Sequence, residues 1–171
     1  MDPAAFQPRI VAFCCHYCAY SSADLAGSMR IQYPPNVRII RTPCTGRLET
    51  EYFMKAFELG ADGVLVAGCL EGGCHFAEGN LCAKRRVNYT RQMLGEIGLE
   101  PDRLRMVNVS AAMARPLAEI IMDMVQTVRK LGPSPIGLPQ SGRAVSPKPP
   151  APPVALGPTR QRDSQKPEIR S

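Results

Sequence analysis

The sequence predicts an α/β chain folded as a three-layer, doubly wound, flavodoxin-like sheet of four parallel strands, followed by a Pro-rich tail. Three observations carry that expectation. Four short apolar runs each give way to a helix-forming stretch, cysteines gather at the ends of those runs, and the composition changes abruptly after Gly132.

Taken in order, "RIVAFC" is a short apolar run of the kind that forms a buried parallel strand, and "SSADLAGSMRIQY" follows it with Ser21 or Ser22 available as helix N-cap. The unit recurs as "VRIIRTPC" then "LETEYFMKAFELG", where Phe53 and Phe57 share one helix face and Gly60 supplies the stop. It recurs again as "GVLVAGC", a long loop, and "KRRVNYTRQMLGEIG", whose Val87, Leu94 and Ile97 fall on one stripe. The fourth strand, "LRMVNVS", leads into a helix with Met113, Leu117, Ile120, Ile121, Met124, Val128 and Leu131 at amphipathic spacing. Pro116 is tolerated only near that helix's first turn, so the helix should begin close to Arg115. Four such pairs imply strand order 2-1-3-4, with a functional site outside the carboxyl ends of the strands where the winding reverses.

The domain is expected over residues 1–132, with a basic tail over 133–171. Ten of the 17 prolines lie in that tail, where apolar residues are few and without period. Such a segment buries too little surface to offset its ordering entropy, so it is expected to be disordered or extended, polyproline-like around "PKPPAPP". The net charge of +6 divides into +4 in the tail and +2 in the body. With no aromatic residue in the tail and no Trp anywhere, nucleic-acid binding is not expected. No window reaches the roughly 18 consecutive apolar residues of a spanning helix, and "MDPAAFQPRIVAF" lacks the charge and apolar length of a signal peptide. A soluble, cytoplasmic protein is the expectation. Seven cysteines, three of them within five positions, read as metal-binding or redox-active thiols and not as a secreted disulfide framework.

In the predicted topology Cys14, Cys15 and Cys18 end the first strand, Cys44 the second and Cys69 the third, with Cys74 in the loop just after. Successive strand side chains point to opposite faces, so Cys14 and Cys15 cannot share a target. Cys14 is assigned to packing, because Cys15-His16-Tyr17-Cys18 is a C-x-x-C turn able to bring two sulfurs to one metal. The second close pair is Cys69-x4-Cys74, whose Gly72 and Gly73 let the loop wrap and aim backbone N–H groups at an anionic centre. Soft thiolates suit zinc, cuprous copper or an iron–sulfur cluster. The set Cys15, Cys18, Cys44, Cys69 and Cys74 exceeds by one the ligands that a single [2Fe–2S] cluster or a zinc ion takes, and the residues do not say which is surplus. Cys82 reads as structural, and His16 and His75 as neighbours more than ligands. The basic stretches "RIQYPPNVRIIR" and "AKRRVNYTRQ" read either as solvated faces or as a docking surface for an acidic protein.

The segments "FCCHYCAYSSADLAGSMRIQYPPNVRIIRTPCTGR" and "AFELGADGVLVAGCLEGGCHFAEGN", with "KRR" shortly after, resemble the small iron–sulfur (delta) subunit of the methyl-viologen-reducing hydrogenases over residues 8–132. The resemblance implies a [2Fe–2S] cluster. It also implies electron transfer between a hydrogenase or formate dehydrogenase and a heterodisulfide reductase A-like flavoprotein, with this chain a non-catalytic component of the larger complex. Carried over, the family's cysteines fall on Cys15, Cys18, Cys44, Cys69 and Cys74, the Cys14 position varies, and Cys82 stands where tyrosine is common. His16-Tyr17 and the tail depart from the pattern, which leaves the partner open. Two other readings of the residues remain: a structural zinc module, and a thioredoxin-like dithiol oxidoreductase, which would leave Cys44, Cys69 and Cys74 unexplained.

Overall fold

The computed structural model describes residues 6–136. Strands β1 (Ile10–Cys15), β2 (Val37–Thr42), β3 (Gly63–Gly68) and β4 (Leu104–Asn108) alternate with helices α1 (Ser21–Ser28), α2 (Thr50–Glu58), α3 (Gly79–Glu96) and α4 (Ala114–Leu131). The strands form one sheet in the order β2-β1-β3-β4, every pairing parallel, as the sequence implied. β3 is buried at every position, as a strand covered by helices on both faces must be, whereas edge strand β2 exposes Arg38, Ile40 and Arg41.

Strand alternation sorts the core into two layers. Ile10, Ala12, Cys14, Leu65 and Ala67 face α1 and α4, against Ala23, Leu117, Ile121, Met124 and Val128. Phe13, Val64 and Val66 face α2 and α3, against Phe53, Phe57, Val87 and Leu94, with Phe13 and Phe53 meeting edge to face at 6.1 Å. Gly60, at φ +92°, ends α2 in the left-handed conformation expected of a helix stop.

Three local expectations are corrected. Neither Ser21 nor Ser22 caps α1, because a π-helical turn over His16–Tyr20 runs straight into it. Ser21 Oγ instead donates to His16 O at 3.0 Å. α3 begins at Gly79, five residues before Lys84, so Cys82 lies within it. Ile97 is 56% exposed, because it falls at the C-cap, where the chain leaves the helical stripe. α4 starts at Ala114, placing Pro116 in its first turn.

At the amino ends of the strands the chain closes on itself. Arg103, 1% exposed, donates to Glu100 Oε2 at 2.6 Å and to the carbonyls of Asp62, Gly132 and Leu131 at 3.1, 2.8 and 3.3 Å. Asp62 accepts from the backbone N–H groups of Arg9 and Ser134 at 2.7 and 2.9 Å, which ties the residues just after α4 to β3. From residue 137 onward the Pro-rich tail lies outside the described residues. No helix among the described residues is long and apolar enough to cross a membrane.

Candidate metal centre

The loops leaving β1, β2 and β3 meet at the carboxyl rim, at the β1/β3 boundary where the winding reverses. Cys15 ends β1, Cys18 follows within the π-helical turn, and Cys69 follows β3. Their sulfur atoms lie within 4.8 Å of one another, and Cys15 Sγ is 3.7 Å from Cys69 Sγ. That separation is close to the edge of a tetrahedron of thiolates at about 2.3 Å from a metal.

Cys44 and Cys74 form the other half of the site, gathered at the first residue of α3. A Cβ on Gly79 would stand 2.4 Å from Cys44 Sγ and 3.4 Å from Cys74 Sγ, so only glycine lets both sulfurs reach the helix N-terminus. A Cβ on Gly46 would stand 2.7 Å from Gly79 Cα, so the loop bearing Cys44 approaches α3 glycine against glycine. Cys44 and Cys74 thus stand near each other across Gly79, and the Cys69 side chain contributes to lowering the Cys74 thiol, which relates the pair to the trio. All seven cysteines are free thiols. Cys14, 0% exposed, points to the α1/α4 side, and Cys82, in the first turn of α3 on the cleft wall that also holds Cys44, has Arg85 Nη2 3.4 Å from its sulfur.

Backbone N–H groups aim at four of the five sulfurs: Tyr17 and Cys18 at Cys15, Gly46 at Cys44, His75 at Cys69, and Asn80, Phe76 and Gly79 at Cys74. Their consequences for the thiols differ. Hydrogen bonding from the Cys18 thiol brings Cys15 down to about 5 against the opposing effect of burial, and the same bond holds Cys18 far above the ordinary thiol range. Burial raises Cys44 and Cys69. Burial alone would raise Cys74 too, but the N–H groups of Asn80 and Gly79 at the start of α3 and of Phe76 in the loop before it, with the Cys69 side chain, outweigh it and leave the thiol lowered. Cys14, whose largest influence is burial, is pushed up to about 12, as suits a packing residue.

Several positioning residues carry no sequence signal strong enough to single them out. Buried Asn80 donates its amide to the carbonyls of Cys69 and Leu70, both at 3.0 Å, and Asn108 donates to the same Cys69 carbonyl at 2.5 Å. Arg86, from the "KRR" stretch read as a solvated face or a docking surface, reaches across to Gly46 O at 2.6 Å and Leu48 O at 3.3 Å and pairs with Glu49 at 3.0 Å, clamping the Cys44 loop. Gly72, at φ +77°, does allow a tight turn after Cys69, yet nothing lies within 4 Å of its missing Cβ; the close approaches belong to Gly46 and Gly79. His16 and His75 join a ring cluster: Tyr17 stacks on His75 with centroids 3.9 Å apart, and Phe76 lies edge-on to both.

Fold and site together define a class: a small, doubly wound α/β domain whose winding-reversal crevice is lined with thiols. The chain belongs to the FlpD family, described as methyl-viologen-reducing hydrogenase, delta subunit, whose model matches residues 10–132. Among similar proteins, the iron-sulfur subunit of the F420-non-reducing hydrogenase of Archaeoglobus profundus is 44% identical over 128 residues, covering 75% of this chain and 93% of that protein. The vhu iron-sulfur subunit of the F420-non-reducing hydrogenase of Methanocaldococcus jannaschii is 46% identical over 130 residues, or 76% and 97%. The A-type subunit of the ferredoxin:CoB-CoM heterodisulfide reductase of Methanosarcina mazei is 44% identical over 126 residues, 74% of this chain but 16% of that longer protein.

Proposed function

We propose that this chain is the electron-relay subunit of a hydrogenase- or formate dehydrogenase-linked complex. It would carry one [2Fe–2S] cluster and exchange electrons with a heterodisulfide reductase A-like flavoprotein in the cytoplasm. The observation that carries the reading is the convergence of Cys15, Cys18 and Cys69 within 4.8 Å, with Cys44 and Cys74 gathered at Gly79. Relatives named as hydrogenase iron-sulfur subunits, and one named as a heterodisulfide reductase subunit in which this domain is a small part, support it.

The donor set fits such a group. It is all thiol, largely buried, and fed by N–H donors that favour charged sulfur. Cys15, Cys18 and Cys69 would supply three ligands, and Cys74 or Cys44 the fourth. When bound, the cluster would accept and release one electron at a time. The chain's own part is to fix the sulfurs through the Asn80, Asn108 and Arg86 contacts and to exclude water from Cys15, Cys18 and Cys69, each at most 5% exposed. Because Cys15 and Cys18 stand against a third sulfur, they do not form the isolated pair of a dithiol enzyme.

The test is anaerobic reconstitution of the full chain, followed by iron, zinc and acid-labile sulfide analysis and electron paramagnetic resonance of the reduced protein. Iron and sulfide in equal amounts with a [2Fe–2S] signal is the expected result. One zinc with neither iron nor sulfide would replace this reading with a structural zinc module.

A further inference from the structure

We propose that the carboxyl rim of the sheet is a docking face for a protein that presents an acidic surface patch, received by Arg41 and Arg47 and by exposed aromatic rings around Cys44 and Cys74. This rests on the relay reading and names the chemistry of the partner that reading requires.

The charge comes from one stretch of chain. Leu25 to Leu48 contains Arg30, Arg38, Arg41 and Arg47 and no carboxylate. All four arginines are exposed, and none makes an ion pair among the described residues. Elsewhere Lys55, Lys84, Arg86, Arg91, Arg103 and Arg105 each meet a carboxylate of the same chain. The charge of this stretch is therefore held in no direct ion pair among the described residues, and it lies along β2 and the Cys44 loop, whose carboxyl ends form the rim.

The geometry puts two of these arginines on either side of the sulfur site. Arg41, its guanidinium 5.4 Å from the Tyr20 ring centroid, lines a small cleft with His16, Tyr17 and Pro43. Arg47 lines a larger cleft of about 1120 Å³ with Pro43, Cys44, Tyr52, Phe76 and Gly79. Pro43 is common to both, so they are neighbours on one face. Tyr17, Tyr52 and Phe76 around them are 44%, 49% and 53% exposed. Aromatic rings with arginine are the composition of a protein interface: the rings give apolar contact at small entropic cost, and the guanidinium groups steer and hold carboxylates. Of the carboxylates lining the larger cleft, Glu49 is held by Arg86 at 3.0 Å, while Glu78, exposed just before α3, makes no ion pair among the described residues. A partner seated here would stand directly over Cys44, at the cleft wall, and beside Cys74, the most exposed of the five sulfur-site residues.

Calorimetric titration of the full chain with a plant-type [2Fe–2S] ferredoxin, used as a strongly acidic redox-protein probe, tests this without depending on electron transfer. The wild type should bind at low ionic strength and weaken as salt rises. The Arg41→Glu/Arg47→Glu variant should bind about tenfold more weakly and lose most of the salt dependence. Arg9→Glu/Lys130→Glu makes the same charge change at exposed positions at the opposite end of the sheet and should stay within about twofold of wild type. Equal weakening in both variants, or no binding by the wild type, overturns the proposal. Tyr17→Ala/Phe76→Ala, which leaves the charge intact, should also weaken binding while keeping its salt dependence, and unchanged affinity there removes the rings from the docking face. Rim-dependent binding by a chain that holds zinc and no iron would leave the docking face standing and remove the relay reading instead.

Discussion

The two ends of the same sheet are built on opposite plans. At the amino end a buried arginine meets a carboxylate and three carbonyls, and Asp62 accepts two backbone N–H groups, so both of these charged side chains are partnered within the chain. At the carboxyl end a trio of thiols and a neighbouring pair meet, with backbone N–H groups directed at four of the five sulfurs, under a surface of exposed rings and unpaired arginines. One end holds the fold closed. The other gathers soft thiols, with Cys15 and Cys74 lowered and Cys18, Cys44 and Cys69 raised, a donor set of the kind soft metals favour.

That contrast can be broken most completely at a sulfur. Cys69→Ser should abolish iron incorporation under reconstitution, whereas Cys14→Ser, one residue from Cys15 but packed in the core outside the sulfur trio, should retain iron and lose roughly 1–3 kcal/mol of stability by burying a hydroxyl. Metal analysis beside urea unfolding separates the two outcomes. Next in size, Arg103→Met should cost roughly 2–4 kcal/mol, because the carbonyls of Asp62, Leu131 and Gly132 lose their donor inside the protein. Its reconstituted spectrum should match the wild type, and a shifted spectrum would show that the two ends are coupled.

Gly79→Ala sharpens the comparison by sign. In an ordinary helix the change would stabilise, by about 0.4–1 kcal/mol. Here the new Cβ would meet Cys44 Sγ at 2.4 Å, so we expect a loss of roughly 1–3 kcal/mol together with reduced iron content. A stabilised, fully loaded variant would mean that the Cys44 sulfur moves freely. The smallest effect is at the amino end. The Arg103 guanidinium holds the Glu100 carboxyl below its ordinary range, so the stability it contributes is present above the unfolded-state pKa and is lost as pH falls through the lower folded-state value. The gap in stability between wild type and Glu100→Gln should therefore be widest above about pH 5 and close towards pH 3 in acid-titrated urea melts. A gap that does not change with pH would show that Glu100 acts by packing alone.

Much of this was legible from residues alone where the signal is local and periodic. The apolar runs, the Phe53/Phe57 face and the long stripe of α4 each depend on contacts within a few turns, and the winding rules then fix the strand order. Helix starts were less legible. Gly79 opens α3 without a side-chain cap, and the π-helical turn replaces a serine cap, so neither start carries a capping signal.

The sequence by itself determined the layers, the parallel order and the delivery of cysteines to one rim, because a parallel sheet necessarily brings its strand ends together. Only the tertiary structure decided how the sulfurs divide into a trio and a pair, why Gly46 and Gly79 must lack side chains, and that Arg86 and Asn80 serve the site. Those contacts join residues ten to fifty-four positions apart, and their ångström-scale fit is set by how α3 packs against the loops. No local pattern encodes that distance.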